Sequence, residues 1–296
     1  MRIVKAVICF GWAFVALNGY ASFPVEKIKG KAPAYASQPI SAVPHEGAIL
    51  TAIWMPELEQ GFVPQGLTYA EGQVLVAAYR SKQRWLSNGP TWVFRVDPAT
   101  GKVTGKFQFG SLGHVGGLAY GGKNILYVAD KLKITRIAMD EAFRSGTSED
   151  AVLGTISVPP YIGTAFLSFD GRFLWTGRYS RAGSARIYRI DPALFKTGRY
   201  PDKIFSVEVA ARSQGAAFDP EGNLWVSQSS SKFGRLQKIN PSTGEVLQSF
   251  PMVAGMEDLS FDENGNLLSV SEAGAFKYRN WNTFFPVIFQ IDLNKL

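Results

Sequence analysis

One cadence recurs along this chain and leaves few folds open to it. Its clearest copy runs from Ser213 to Phe250, SQGAAFDPEGNLWVSQSSSKFGRLQKINPSTGEVLQSF. Residues 214–218 are small and apolar, and Asp219-Pro220-Glu221-Gly222 follows with Pro and Gly in turn-favouring order. Residues 223–228 are rich in Leu, Trp and Val, while 235–240 alternate polar and apolar side chains. Pro241-Ser242-Thr243-Gly244 turns the chain again before 246–250. Four short antiparallel strands in about 40 residues is the size of one propeller blade.

The same order of small strand, turn and bulky strand starts near residues 64, 114, 163 and 256. Gly66, Gly117, Phe166, Gly215 and Asp258 fall at equivalent positions, spaced 51, 49, 49 and 43 residues apart. That period, with strand-like rather than helical patterning, predicts an all-β protein: a β-propeller of four-stranded antiparallel blades. The first strand of most repeats is small, as a crowded channel wall requires, and the second carries the Leu, Trp and Tyr that pack between sheets. The fifth repeat supplies only three strands, whereas residues 48–55 (AILTAIWM) form a strand with no repeat of their own. Five blades follow if that N-terminal strand completes the last one and removes its open edge. The alternative is a sixth, degenerate blade drawn from residues 23–62.

Residues 1–21 read as an export signal: Arg2 and Lys5 precede an apolar stretch at 6–17, and Asn18-Gly19-Tyr20-Ala21 ends in a small-x-small pattern. An uncleaved anchor is the competing reading; the stretch is short for a span. Residues 22–46, rich in Pro, Ala, Ser and Lys, read as a linker or surface arm, and 47–296 as a single propeller domain. The one cysteine, Cys9, lies in the apolar stretch. The mature chain is therefore expected to have no disulfide, thiol nucleophile or thiolate metal site. Loss of Arg2 and Lys5 would reduce the formal net charge from +7 to +5. With no dense basic run, nucleic acid is not an expected partner. The expectation is a periplasmic or secreted monomer with no membrane span after cleavage, meeting a small polar molecule or an envelope protein.

In an antiparallel blade the start of the first strand and the end of the second lie at the same end of the sheet. Those positions converge on one channel mouth and supply the candidate site. First strands contribute Gln65, His114, Thr164, Gln214, Glu257 and Asp258; second strands contribute Tyr79, Arg80, Asp130, Lys131, Arg178, Tyr179, Gln228 and Glu272. The mixture of charges fits either salt bridges that staple neighbouring blades or a polar ligand site. His114, between glycines, is a candidate general base with Glu257 or Asp258 as partner, or a structural histidine. The aromatic, basic stretch 275–285 offers Tyr278, Trp281 and Phe284 for stacking on a flat ligand. No Gly-x-Ser-x-Gly elbow, phosphate loop or dinucleotide fingerprint is present.

The segments Pro64-Gln65-Gly66-Leu67-Thr68-Tyr69 and Ser213–Val226 resemble a broad group of propellers with NHL-type repeats. The group includes the gluconolactonase-like (SMP-30), strictosidine-synthase-like and virginiamycin B lyase-like proteins. The likeness covers about residues 62–293 and implies the propeller fold. It also implies a possible divalent cation, calcium or magnesium, in the channel. The resemblance would place that ion on Glu257, with Asp258 beside it. At the matching positions stand Gln65, Gly116, Ala165 and Gln214, of which only the glutamines can ligate by side chain. Two functions are thus expected of the mouth: binding of a small polar ligand or partner, or metal-dependent lactonase or esterase chemistry with His114, Glu257 and Asp258 as catalytic residues.

Overall fold

The computed structural model describes residues 23–35 and 39–296. The expected signal at 1–21, with Cys9, lies outside the described residues. Among those described, no helix is long and apolar enough to cross a membrane.

Five sheets surround a central channel. Blade 1 comprises Phe62–Ala70, Gln73–Arg80, Thr91–Val96 and Val103–Gln108. Blade 2 comprises Gly117–Tyr120, Ile125–Asp130, Lys133–Ala138 and Val152–Ser157. Blade 3 is Ser168–Phe169, Leu174–Gly177, Ser184–Ile190 and Ser206–Ala210. Blade 4 is Ser213–Phe218, Leu224–Ser230, Phe233–Ile239 and Val246–Met252. Each is an antiparallel meander with its first strand innermost. Blade 5 runs from Met256–Phe261 through Leu267–Ser271 and Val287–Ile291, and its fourth strand is Ile49–Trp54. Trp54 pairs with Val287 and Ile49 with Ile291, so the N-terminal strand closes the ring, and the count is five, not six. Ile28–Lys29 adds a short parallel strand outside it.

The turns form where the sequence supplies their chemistry. Asp170 and Asp219, at the first turns of blades 3 and 4, accept the indole N–H of Trp175 (2.7 Å) and Trp225 (2.9 Å) from the next strand. One residue pair thereby fixes both the turn and the rotamer of the largest core side chain. The core is a set of apolar wedges between neighbouring blades. Side chains such as Phe94, Phe107, Phe285 and Phe289 are wholly buried there, each stabilising the fold by about 1.5–3 kcal/mol.

Blade 3 departs from the expected first strand at 163–169, which is regular only at Ser168–Phe169. Phe166 stands where three other repeats have Gly, and its ring packs against Gly177. The ladder there is replaced by a bond from the Thr176 hydroxyl to the Phe166 carbonyl, 2.7 Å.

The stretch read as a linker or surface arm lies against blade 5. Phe23, Ile28, Ile40 and Val43 are buried in the core cluster that blade 5 shares with blades 1 and 4. Phe23 meets Phe285 edge to face at 5.9 Å. Ser41 exchanges two 2.8 Å hydrogen bonds with the backbone of Phe284, and the Tyr35 hydroxyl donates to the Gly274 carbonyl at 2.9 Å. The arm therefore braces the loop 272–286 of blade 5.

Candidate functional site

The inner strands pack backbone to backbone at a waist. A Cβ on Gly117 would lie 2.1 Å from the Leu167 nitrogen; one on Gly66 would lie 2.9 Å from the Gly117 carbonyl carbon, and one on Gly215 2.5 Å from the Asp258 Cα. Glycine is needed there for close approach. Asp258, the fifth equivalent residue, is wholly buried, and its Oδ2 accepts the backbone N–H of Leu67 and of Leu118, each at 3.1 Å. Blade 5 adjoins blade 1 but not blade 2, so this carboxyl reaches across the channel axis. Burial pushes its pKa well up, against the opposing pull of backbone N–H groups from Leu118, Leu67, Leu259 and Ala216. Asp258 is a plug shared between blades rather than an open reactive group.

Above the waist, where the inner strands begin, lies a closed polar cluster. Glu257 Oε1 accepts from Gln214 Nε2 at 2.9 Å, and Glu272 Oε2 accepts from Gln65 Nε2 at 3.0 Å. Both carboxyls are buried, at 2% and 9% exposure. Burial raises the Glu257 pKa well above the ordinary value, and the charges of Glu272 and then Asp258 push it further. Glu272 is pushed up to about 8 by burial, partly offset by Lys277 and by the Gln65 amide. Two carboxyls so placed cannot both ionise cheaply, and Glu272 keeps its proton up to about pH 8.

Lys277 enters from the loop 272–286. Its Nζ donates to the Tyr79 hydroxyl (2.8 Å), the Leu86 carbonyl (2.9 Å) and the Ser87 hydroxyl (3.3 Å), 5.1 and 5.0 Å from the ring centres of Tyr79 and Tyr278. Burial lowers its pKa while Glu272 opposes the shift. Burial likewise raises the hydroxyl pKa of Tyr79 and Tyr278. His114 stacks on Tyr79 at 4.7 Å and its Nδ1 bonds the Ser87 carbonyl. Burial pushes the imidazole below its usual value. The Asp130 carboxylate accepts the backbone N–H of His114 at 2.8 Å.

Gln65, Tyr79, His114, Gln214, Glu257 and Glu272 thus come together as the strand argument expects. Asp130 joins them through the His114 backbone and Asp258 lies just below at the waist, while the others lie apart. Arg80 is exposed and donates to the Gln60 carbonyl at 3.2 Å; Lys131 is exposed and bonds the Leu112 carbonyl. Arg178 and Tyr179 are exposed on their loop. Gln228 is buried against Gln237 (2.9 Å), and Thr164 accepts the Leu132 N–H at 3.0 Å. Among the described residues, no ion pair within 4.0 Å involves these candidates, so salt-bridge stapling does not account for the mouth. Phe284 is 2% exposed beside Trp54, which removes it from any stacking role; the rings of Tyr278 and Trp281 meet each other at 4.4 Å, tilted by 32°. Lys277 and Ser87 were not readable as site residues, because both sit in insertions outside the repeat. The signal available was a lone lysine between Phe276 and Tyr278.

The cluster does not fit a divalent ion as arranged. No three His, Cys, Asp or Glu side chains gather in ligating geometry among the described residues. Gln65 and Gln214 turn amide N–H groups, not carbonyl oxygens, toward Glu272 and Glu257. Each carboxyl already accepts one amide N–H at the oxygen that a cation would need.

No family profile and no curated protein matches the sequence. Solved structures do share its fold. Glutaminyl cyclase of Myxococcus xanthus superposes with a TM-score of 0.56 at 12% identity, covering 82% of this chain and 94% of that one. The PQQ-bound aldose sugar dehydrogenase of Streptomyces coelicolor gives 0.48 at 16% identity, over 75% of this chain and 78% of that one. A luciferin-regenerating enzyme gives 0.48 at 13%, over 82% and 95%. At these identities the likeness is one of fold.

Proposed function

We propose that this is an exported protein whose upper channel mouth binds a small polar molecule and exchanges a proton with it, Glu257 and Glu272 serving as acid and base. Export rests on the N-terminal sequence pattern. The proton chemistry rests on one observation: two neighbouring buried carboxyls, each held by a single amide donor, with Glu272 titrating near the pH at which an exported protein works. A general acid–base group is most effective when its pKa is near the operating pH, and a pair whose charges repel separates into one acid and one base. Tyr79 and Tyr278 would wall the ligand while Gln65 and Gln214 orient the carboxyls.

A second reading is favoured by the extent of the fold likeness to the Myxococcus protein, which spans 94% of that chain. In it the substrate is an N-terminal glutaminyl peptide. The α-amino nitrogen would bond to the side-chain carbonyl carbon, the carbon–nitrogen bond of the carboxamide would break, and ammonia would leave. One proton would pass from the attacking amine to the departing nitrogen by way of Glu272.

The test is a panel of glutaminyl peptides, lactones and esters assayed with the purified chain across pH. Turnover with an upper limb near pH 8, lost in Glu272→Gln while that variant still melts cooperatively as a folded protein, is the expected result. Binding without turnover would reduce the proposal to a binding site. Neither turnover nor a melting shift with any compound would overturn it.

A further inference from the structure

The two faces of the ring differ in charge: one carries an excess of exposed cations, the other a mixture of both signs. The upper face, where inner strands begin, is formed by the loops 81–90, 109–116, 131–132, 158–167, 178–183 and 231–232. They expose Lys82, Arg84, Lys131, Arg178, Arg181 and Lys232, while the neighbouring loop 55–61 exposes Glu59. The lower face is formed by the hairpin turns within the blades and mixes both signs, exposing Asp140, Asp191 and Glu263 beside Lys123, Arg144 and Lys196. The upper loops also carry large apolar side chains in water: Trp85 is 83% exposed, Leu112 58% and Tyr161 56%, with Leu86, Tyr179 and Phe233 less so. The remaining exposed aliphatics, such as Leu50, Val103, Val152 and Val246, lie on the outermost strands along the side wall.

Apolar tips and cations therefore occupy the same loops, on one face, from blade 1 round to blade 4. They rise from separate loops around a ring, so they meet a flat partner together and could not all line a cleft. We infer that this face docks on a bilayer surface rich in anionic lipid headgroups. Trp and Tyr settle at the boundary between headgroups and acyl chains, where their rings are half apolar and half polar. Lys and Arg are drawn to anionic leaflets, each strengthening attachment about fivefold. The lower face, where exposed cations are offset by carboxylates, gains no comparable attraction, and this fixes the orientation. Docked so, the channel mouth opens toward the headgroups. The inference stands independently of the proton chemistry proposed for that mouth.

The experiment is co-sedimentation of the full chain with vesicles of phosphatidylcholine alone or mixed with phosphatidylglycerol. Binding should require phosphatidylglycerol and weaken with salt. Combining Lys82→Glu, Arg84→Glu and Arg181→Glu should lower affinity about a hundredfold. The pair Trp85→Ser and Leu112→Ser should lower it about tenfold, and Lys123→Glu on the lower face should change nothing. All these positions are exposed, so unchanged melting profiles confirm that each variant folds. The N-terminal apolar stretch is common to every variant, and binding that survives both upper-face sets belongs to that stretch and overturns the inference. Equal binding to a soluble polyanion such as heparin, indifferent to Trp85→Ser with Leu112→Ser, would overturn it in favour of a charged polymer.

Discussion

The two ends of the channel are made by the same five strands, a few residues apart, and they obey different rules. At the lower end each inner strand presents one aromatic: Tyr69, Tyr120, Phe169, Phe218 and Phe261, around a cavity of about 170 Å³. Their side chains pack outward between blades, as Phe218 does on Trp175 at 5.2 Å. Hydroxyls stitch the strands together, Ser260 Oγ accepting the Tyr69 N–H at 2.9 Å and Thr68 Oγ1 the Tyr120 N–H at 3.2 Å. At the upper end the matching positions hold Gln65, Gly116, Ala165, Gln214 and Glu257. Where the chain repeats itself, the residue serves the ring. Where the repeat is broken, the residue is free to do something that only one place in the molecule needs, and the buried polar cluster is built from those exceptions.

Asp258 separates the two ends, and removing it should have the largest effect. Asp258→Ala orphans the buried N–H groups of Leu67 and Leu118 and should cost about 3 kcal/mol in denaturant unfolding. A variant as stable as the parent would mean that the waist does not depend on this carboxyl. The upper end should reveal itself through pH. Glu272 keeps its proton in the folded state up to about pH 8, whereas the unfolded chain loses it near the ordinary value of 4.5. The folded form binds the extra proton between those values, so this group's contribution falls as pH rises through that window and levels off above it. Glu272→Gln should flatten that part of the stability curve and be more stable than the parent above the window. Melting curves across the range would show it, and an unchanged slope would place the titration elsewhere. The lower end should respond least: Ser260→Ala removes the acceptor of the Tyr69 N–H and should cost about 1 kcal/mol. It should leave any activity at the upper mouth untouched; an effect on turnover would dissolve the division between the ends.

Most of the fold was legible because its punctuation is chemical. Asp170, Asp219 and Asp262, each beside a turn, mark the first hairpin of three blades, and the lone strand at 48–55 lacked any partner but the incomplete fifth repeat. The site was half legible. Strand periodicity says which end a residue occupies, and that placed Gln65, Gln214, Glu257 and Glu272 together. It does not by itself say which way a side chain at a strand's frayed end points: Tyr79 faces in, while its neighbour Arg80 turns out to the Gln60 carbonyl. Insertions have no period at all, so Lys277 could be placed only through the contacts that its loop makes.

Ring closure by Ile49–Trp54 against Val287–Ile291 has a consequence for how the molecule is made. Ile49–Trp54 leaves the ribosome long before Val287–Ile291 does. At ribosomal rates of 5–20 residues per second that delay is on the order of ten seconds or more. Throughout it, Ile53 and Trp54, buried in the finished ring, have no sheet to join. A chain of this design depends on whatever keeps that segment from pairing with a neighbour's, and its yield should be set during the wait rather than by the strength of the completed ring.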